Sequence, residues 1–236
     1  MNDELSSKQF YLTPVHPCSY LEDRQARTLF LDPRDTIDQG TYGALTHSGF
    51  RRSGSHLYRP HCLGCDACIP ARVPVEQFTW KRRFRRALRL NQDIEMRVVE
   101  AGYSADYYDL YARYIRARHG DSDMDPPSAE QFRSFLLSSW GHTAFVTLYL
   151  NRKPVAVAVT DMLPDGLSAI YTFFDPDLAD RGLGTYAVLR QIQLCQERNL
   201  KHLYLGYWIK DCDKMNYKID FRPVELYVNN RWVVMR

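Results

Sequence analysis

Residues 143–174 read TAFVTLYLNRKPVAVAVTDMLPDGLSAIYTFF. Apolar, β-branched and aromatic residues fill this stretch, and it is cut twice by turn formers, at Asn151-Arg152-Lys153 and at Pro164-Asp165-Gly166. That spacing predicts three antiparallel strands. Toward the C-terminus, Asp180-Arg181-Gly182-Leu183-Gly184-Thr185 leads into a helix whose Val188, Leu189, Ile192 and Cys195 share one face and which ends near Asn199. HLYLGYW (202–208) then returns as a strand, and VELYVNNRWVVM (224–235) alternates about Asn229-Asn230 as a closing hairpin. Toward the N-terminus, Ser104 caps a helix with Tyr107, Leu110, Tyr111, Tyr114 and Ile115 on one face. After the loop HGDSDMDPP (119–127), Ser128 with Gln131 opens a second helix that buries Phe132, Phe135 and Leu136. The succession predicts an α+β fold.

The 236 residues fit one large domain or two small ones, and we expect two: residues 1–78, rich in turn formers and cysteine, and residues 79–236, which hold the regular elements. A hydrophobic share of 45% with 25% charged residues excludes disorder, collagen and a disulfide miniprotein. No stretch reaches the roughly 18 to 20 apolar residues of a membrane span, the longest strongly apolar run being Pro154–Val159. The start, MNDELSSKQFYL, has no basic segment followed by an apolar one, so we expect a cytoplasmic protein without a membrane partner, its six cysteines reduced unless metal holds them. The net charge is only +3, yet residues 51–97 carry eleven Lys and Arg against four acids. Within them Trp80–Arg89 packs six cations around two aromatics, a density that suits phosphate contacts and also a solvated helix face.

Four stretches carry chemistry. In Gly49-Phe-Arg51-Arg52-Ser53-Gly54 and Tyr58-Arg59-Pro60, glycines bracket paired guanidinium forks that can grip a carboxylate or a phosphate. Cys62, Cys65 and Cys68 stand at two-residue spacing, and with Cys18 upstream they could hold zinc or an iron–sulfur cluster. Gly206-Tyr207-Trp208-Ile209 runs from a strand into Lys214-Met215 and Tyr217-Lys218, where lysines interleaved with aromatics suit a nucleotide end. Tyr171 to Phe174 ends a strand at Asp175-Pro176, where an acid could orient an amine or a ribose hydroxyl.

The element order over residues 100–236 is similar to the GNAT acyltransferase fold, so we expect a GNAT-like domain behind a small, loop-rich, cysteine-containing N-terminal one. In GNAT acetyltransferases the turn before the third helix binds a coenzyme A pyrophosphate. Here Tyr186 takes the last small position of that turn, which argues for another donor. Together with Cys18 and Tyr20 and with Leu183-Gly184-Thr185-Tyr186, the quoted motifs resemble the arginyl-tRNA–protein transferase family, from residue 18 to residue 218. The family moves an amino acid from its tRNA to the α-amine of a protein beginning with Asp or Glu and so marks that protein for N-degron proteolysis.

The short chain looks like the bacterial group, which implies leucyl-tRNA as donor. Arginyl transfer, a non-enzymatic RNA-binding module and a coenzyme A-dependent acetyltransferase stand as alternatives. The resemblance implies Arg51, Arg52, Ser53 and Tyr58 for the acceptor N-terminus. It implies Lys81, Arg82, Arg83, Arg85, Arg86, Thr185, Trp208, Lys214, Tyr217 and Lys218 for aminoacyl-tRNA, and Asp175 and Tyr207 near the chemistry. No cofactor is required, because an aminoacyl ester is already activated.

Overall fold

The protein was analysed as a computed structural model, which describes residues 8–120 and 122–236; the first seven residues, read above for a leader, and Asp121 in the loop 119–127 lie outside it. The chain opens with four short strands, β1 (Phe10–Leu12), β2 (His16–Pro17), β3 (Gln25–Ala26) and β4 (Thr28–Leu31). Helix α1 (Gln39–His47) follows, its first turn capped by the Asp38 carboxylate, which accepts from the Thr41 amide at 2.7 Å. Strands β5 (Arg51–Ser53) and β6 (His56–Pro60) form a hairpin that joins β1 and β4 in a four-stranded sheet of order β1-β4-β6-β5. The interior of this region is Leu31, Tyr42, Leu45, Phe50 and Leu57, and it reaches Leu163 and Tyr204 of the second half.

Then come β7 (Ile69–Pro74), the basic helix α2 (Arg82–Leu90), β8 (Glu95–Glu100), α3 (Ala105–Arg118) and α4 (Ala129–Leu136). Ser104 and Ser128 cap the last two as expected, accepting from the amides of Tyr107 and Gln131. Strands β9 (Thr143–Leu150), β10 (Lys153–Met162) and β11 (Gly166–Phe174) form the predicted antiparallel meander. Its first turn puts Asn151 and Arg152 at φ of 50° and 66°, the mirror-image geometry that suits strand twist. Helix α5 (Leu183–Glu197), β12 (His202–Trp208), the short α6 (Asp213–Asn216), β13 (Val224–Val228) and β14 (Arg231–Met235) complete the chain.

Eight strands make one large sheet in the order β14-β13-β7-β12-β11-β10-β9-β8. Strand β7, on the N-terminal side of the expected boundary at residue 78, lies between β12 and β13 within it. Helices α2 and α5 cover one face through Phe84, Tyr186, Leu189 and Ile192. Helices α3 and α4 cover the other through Leu110, Tyr111, Ile115, Phe132 and Leu136. Burial of such residues, at about 1.5–3 kcal/mol each, holds the three layers together.

Strands β11 and β12 are parallel neighbours, and their pairing covers only Gly166 to Ser168 against His202 to Tyr204. Beyond that they part. The pairing of β12 with β7 shifts register between Tyr204 and Gly206, and Gly206 takes φ +82°, a value that favours glycine. The result is a notch at the carboxyl ends of two central strands.

Candidate functional site: a notch holding two buried cations

Arg51 enters the notch from β5. It is 8% exposed; Nη1 donates to Ser168 Oγ at 2.8 Å and Nη2 to the Ala169 carbonyl, so the guanidinium takes the place where the β11–β12 ladder stops. The Gly206 backbone lies against it, and a Cβ there would sit 3.1 Å from Arg51 Nε. Glycine is therefore required twice, for its φ and for the close approach. Among the described residues Arg51 forms no ion pair with a carboxylate.

Lys218, in the 3₁₀ turn after α6, is 4% exposed and lies within reach of the Arg51 charge. Its Nζ donates to the Tyr207 carbonyl at 2.7 Å and to Met215 Sδ at 3.1 Å, and it too has no carboxylate partner among the described residues. Burial first, and the Arg51 charge second, bring its pKa down to about 7, against an opposing pull from Cys212 and Cys68. A buried charge is ordinarily paired. Two buried cations without carboxylate partners among the described residues, near enough that the charge of Arg51 acts on Lys218, therefore describe a place prepared for an anion.

The other sequence candidates take distinct places. Arg52, next in the chain, is fully engaged: Nε and Nη2 reach the two oxygens of Asp161 at 2.6 and 2.9 Å, and Nη1 donates to the Gly54 carbonyl at 2.8 Å. Tyr42 at 2.5 Å and Thr143 at 2.7 Å also donate to Asp161, so this pair is a closed structural knot. Ser53 ends β5 and pairs with His56 across the β5–β6 turn. The Tyr58 ring meets Tyr207 at 6.2 Å. The Tyr207 hydroxyl donates to the Gly49 and Tyr58 carbonyls at 3.0 and 3.2 Å, and burial raises its pKa well above the usual value. It holds the Gly49–Tyr58 segment to β12 and is poorly placed to act as a base. Asp175 caps the turn 176–181 through the Asp177 amide and takes a bidentate grip from Arg113 at 2.7 and 3.0 Å. The Arg113 hydrogen bonds hold its carboxyl below the usual range, so it is a committed carboxylate.

Trp208 donates from Nε1 to Asn216 at 2.9 Å, which ties α6 to the strand end and leaves Lys214 and Tyr217 exposed above it. On α2, Lys81, Arg82, Arg83, Arg85 and Arg86 are all exposed while Phe84 is buried against Phe221, rings stacked at 5.4 Å. Arg83 also pairs with Asp220 at 3.2 Å, two residues beyond Lys218, so the basic helix and the notch share one segment. Thr185 is exposed in the first turn of α5, whereas Tyr186 is core and donates to the Asn91 carbonyl at 3.2 Å.

Sequence reading did not single out two further members of the site, Tyr114 and His119 of the α3 end. Their rings lie 6.2 and 6.5 Å from that of Tyr171, whose hydroxyl is buried without a hydrogen-bond partner. The orphan hydroxyl carried no sequence signal, since it depends on what the fold leaves out. Around the cysteines, burial and the nearby Cys18, Cys62, Cys65 and Cys212 push the Cys68 thiol up to about 12. Even so, no set of three or more His, Cys, Asp or Glu is arranged to hold a metal ion among the described residues.

No helix among the described residues is long and apolar enough to cross a membrane. Residues 16–86 match the family model described as Arginine-tRNA-protein transferase, N terminus, and residues 106–228 match Arginine-tRNA-protein transferase, C terminus. The chain is 52% identical over 232 residues to a protein named aspartate/glutamate leucyltransferase from Pseudomonas fluorescens (strain Pf0-1), across 98% of this chain and 99% of that one. It is 51% identical, with the same coverage, to the protein of that name from Pseudomonas aeruginosa (strain UCBPP-PA14). Among solved structures it is similar to L-PGS from Bacillus licheniformis, at 11% identity and a TM-score of 0.46 over 61% of this chain and 47% of that one.

Proposed function

The chain belongs to the arginine-tRNA-protein transferase family, and from that premise we propose that it moves leucine from leucyl-tRNA to the α-amine of proteins beginning with Asp or Glu. The new N-terminal leucine would mark those proteins for N-degron proteolysis, in the cytoplasm where charged tRNA is found. Leucine is favoured over arginine because the near relatives, matched over nearly their whole length, are named leucyltransferases.

The observation that carries the reading is Arg51, a buried permanent cation without a carboxylate partner among the described residues, at the parting of β11 and β12. An acceptor that begins with Asp or Glu brings the missing anion, and the planar fork recognises a carboxylate with two N–H groups. An acceptor that begins with Lys or Ala leaves the guanidinium unpaired, which costs binding. The notch at the strand ends is also what supports a GNAT-like description of the second half. In this reading α2 lies along the tRNA backbone, and Lys214, Trp208, Tyr217 and the first turn of α5 at Thr185 take the aminoacylated end. No cofactor is invoked, since the ester bond is activated before it arrives, and the cysteines are given no part in the transfer.

The test is a transfer assay with labelled leucyl-tRNA or arginyl-tRNA and peptides beginning with Asp, Glu, Lys or Ala. Leucine on the Asp and Glu peptides alone is the expected result. Arginine on those same peptides would change the donor and keep the acceptor site. Absence of transfer from both donors would overturn the reading.

A further inference from the structure

We propose that Lys218 is the proton acceptor of the transfer, taking the proton that the acceptor's α-amine must lose as the peptide bond forms. The inference rests on the functional reading above and names the group that reading leaves open.

The geometry argues against a merely structural lysine. A side chain that only filled this space would serve better as methionine or leucine, because an unpaired buried ammonium is costly. Nζ has two partners, the Tyr207 carbonyl and Met215 Sδ. A neutral amine that donates its two N–H bonds to these has one valence left, its lone pair. The Tyr217 ring packs 5.2 Å from Nζ and is itself 46% exposed, so the amine lies one aromatic ring from the surface. The charged and titratable groups that act on it are Arg51 from β5, Cys68 before β7 and Cys212 before α6; Arg51 with burial favours the neutral amine, and the two thiols oppose that.

A division of labour follows from the two side chains. Arginine stays charged throughout the physiological range and can hold the acceptor's carboxylate, whereas a lysine deprived of solvent within reach of a permanent cation's charge can be neutral near pH 7. In Asp or Glu the α-amine is separated from the side-chain carboxylate by only a few bonds. Seating the carboxylate on Arg51 therefore brings the amine to the neighbourhood of Lys218. With its pKa near 7, Lys218 is in large part free to take a proton at neutral pH, the condition in which a general base is most effective.

The step balances. The neutral α-amine attacks the ester carbonyl carbon and the C–N bond forms. The resulting ammonium gives its extra proton to Lys218 Nζ. The carbonyl then re-forms as the C–O bond to the terminal ribose breaks, and the Lys218 ammonium returns the proton to the departing ribose oxygen.

The experiment measures kcat and acceptor KM for leucine transfer to an Asp-initiated peptide from pH 5.5 to 9, with wild type, Lys218→Met, Lys218→Arg and Arg51→Ala. The wild-type kcat should rise through a limb near pH 7. In Lys218→Met and Lys218→Arg kcat should fall by about 100-fold or more with acceptor KM within about threefold, and the limb near pH 7 should vanish, since arginine never gives up its proton in this range, leaving only the rise near about 7.7–8.0 that the acceptor's own α-amine imposes. Arg51→Ala, assayed at saturating acceptor, should move the limb upward by about one pH unit, because the charge that disfavours the ammonium is gone. A wild-type profile without that limb, a kcat within fivefold of wild type in both Lys218 variants, or a loss confined to KM would overturn the proposal. Should Lys218→Met not fold, the wild-type profile and Lys218→Arg decide. A wild type that moves neither leucine nor arginine refutes the functional reading itself, and this proposal with it.

Discussion

Arg51 and Arg52 are consecutive, both buried, and opposite in what surrounds them. Arg52 meets Asp161 in a pair that Tyr42, Thr143 and the Gly54 carbonyl complete, so its charge is cancelled within the fold. Arg51, turned to the other side of β5, meets a hydroxyl, a carbonyl and a bare glycine backbone, with Lys218 within reach of its charge. Alternation along one strand thus sends one guanidinium to a site that needs nothing and the next to a site that needs an anion. The lesson is that a charged pair in sequence says little until its counter-charges are found.

The comparison is broken most directly at the closed knot. Asp161→Ala should cost about 3–5 kcal/mol in denaturant unfolding, because it leaves the Arg52 charge buried and alone. A loss below 1 kcal/mol would mean that Arg52 is not held as described. Arg51→Ala should behave differently: kcat/KM for Asp-initiated peptides should fall about 100-fold, near 3 kcal/mol, while unfolding free energy changes by less than the Asp161 variant's. If Arg51→Ala unfolds the protein and spares the kinetics of what remains, the contrast fails.

Lys218 sharpens it through pH. Its folded pKa, about 7, lies below the roughly 10.4 of an exposed lysine. The unfolded chain therefore binds more protons between those values, and stability should rise with pH across that window, the penalty being fully present below pH 7. Lys218→Met should accordingly stabilise the protein at pH 6, by roughly 1–2 kcal/mol, and the advantage should shrink toward pH 10. A pH-independent difference would place an unperturbed lysine there.

Smaller effects are expected on the surface. Replacing Arg82, Arg85 and Arg86 of α2 by Gln should weaken tRNA binding and lower its log–log salt slope by about one per lost phosphate contact, with stability unchanged. An unchanged slope would show that the helix faces solvent. Least of all, Arg181→Ala, which breaks an exposed pair with Asp93, should shift unfolding by under about 1 kcal/mol.

Much of the second half was legible because its signals are local. Asn151, Asn229 and Asn230 adopt the positive φ values that asparagine favours, and the serine caps fall where they were read. Residues 1–78 read as loop although they hold a four-stranded sheet, and three of the elements that escaped, β8 beyond them included, show why. Helix α1 contains Gly40 and Gly43 and only two large buried apolar residues, so its period is faint. Strand β8 is polar at an edge, and β7, IPARVP, carries two prolines that read as loop. For the candidate site, the residue types were visible and their partners were not. Asp161 lies 109 positions from Arg52, and Lys218 is far from Arg51, so sequence alone gave both arginines one role and placed Lys218 with the tRNA.

Strand β7 also sets a timetable. It is made early, yet its two neighbours in the sheet, β12 and β13, begin at His202 and Val224. With translation at about 5–20 residues per second, β7 waits roughly 6 to 30 seconds for the chain that will flank it. During that interval it has two open edges, the condition that invites pairing with another molecule. Pro70 and Pro74 cannot donate to such a pairing, so the residues that disguise this strand in the sequence also keep it solitary on the ribosome until its own partners emerge.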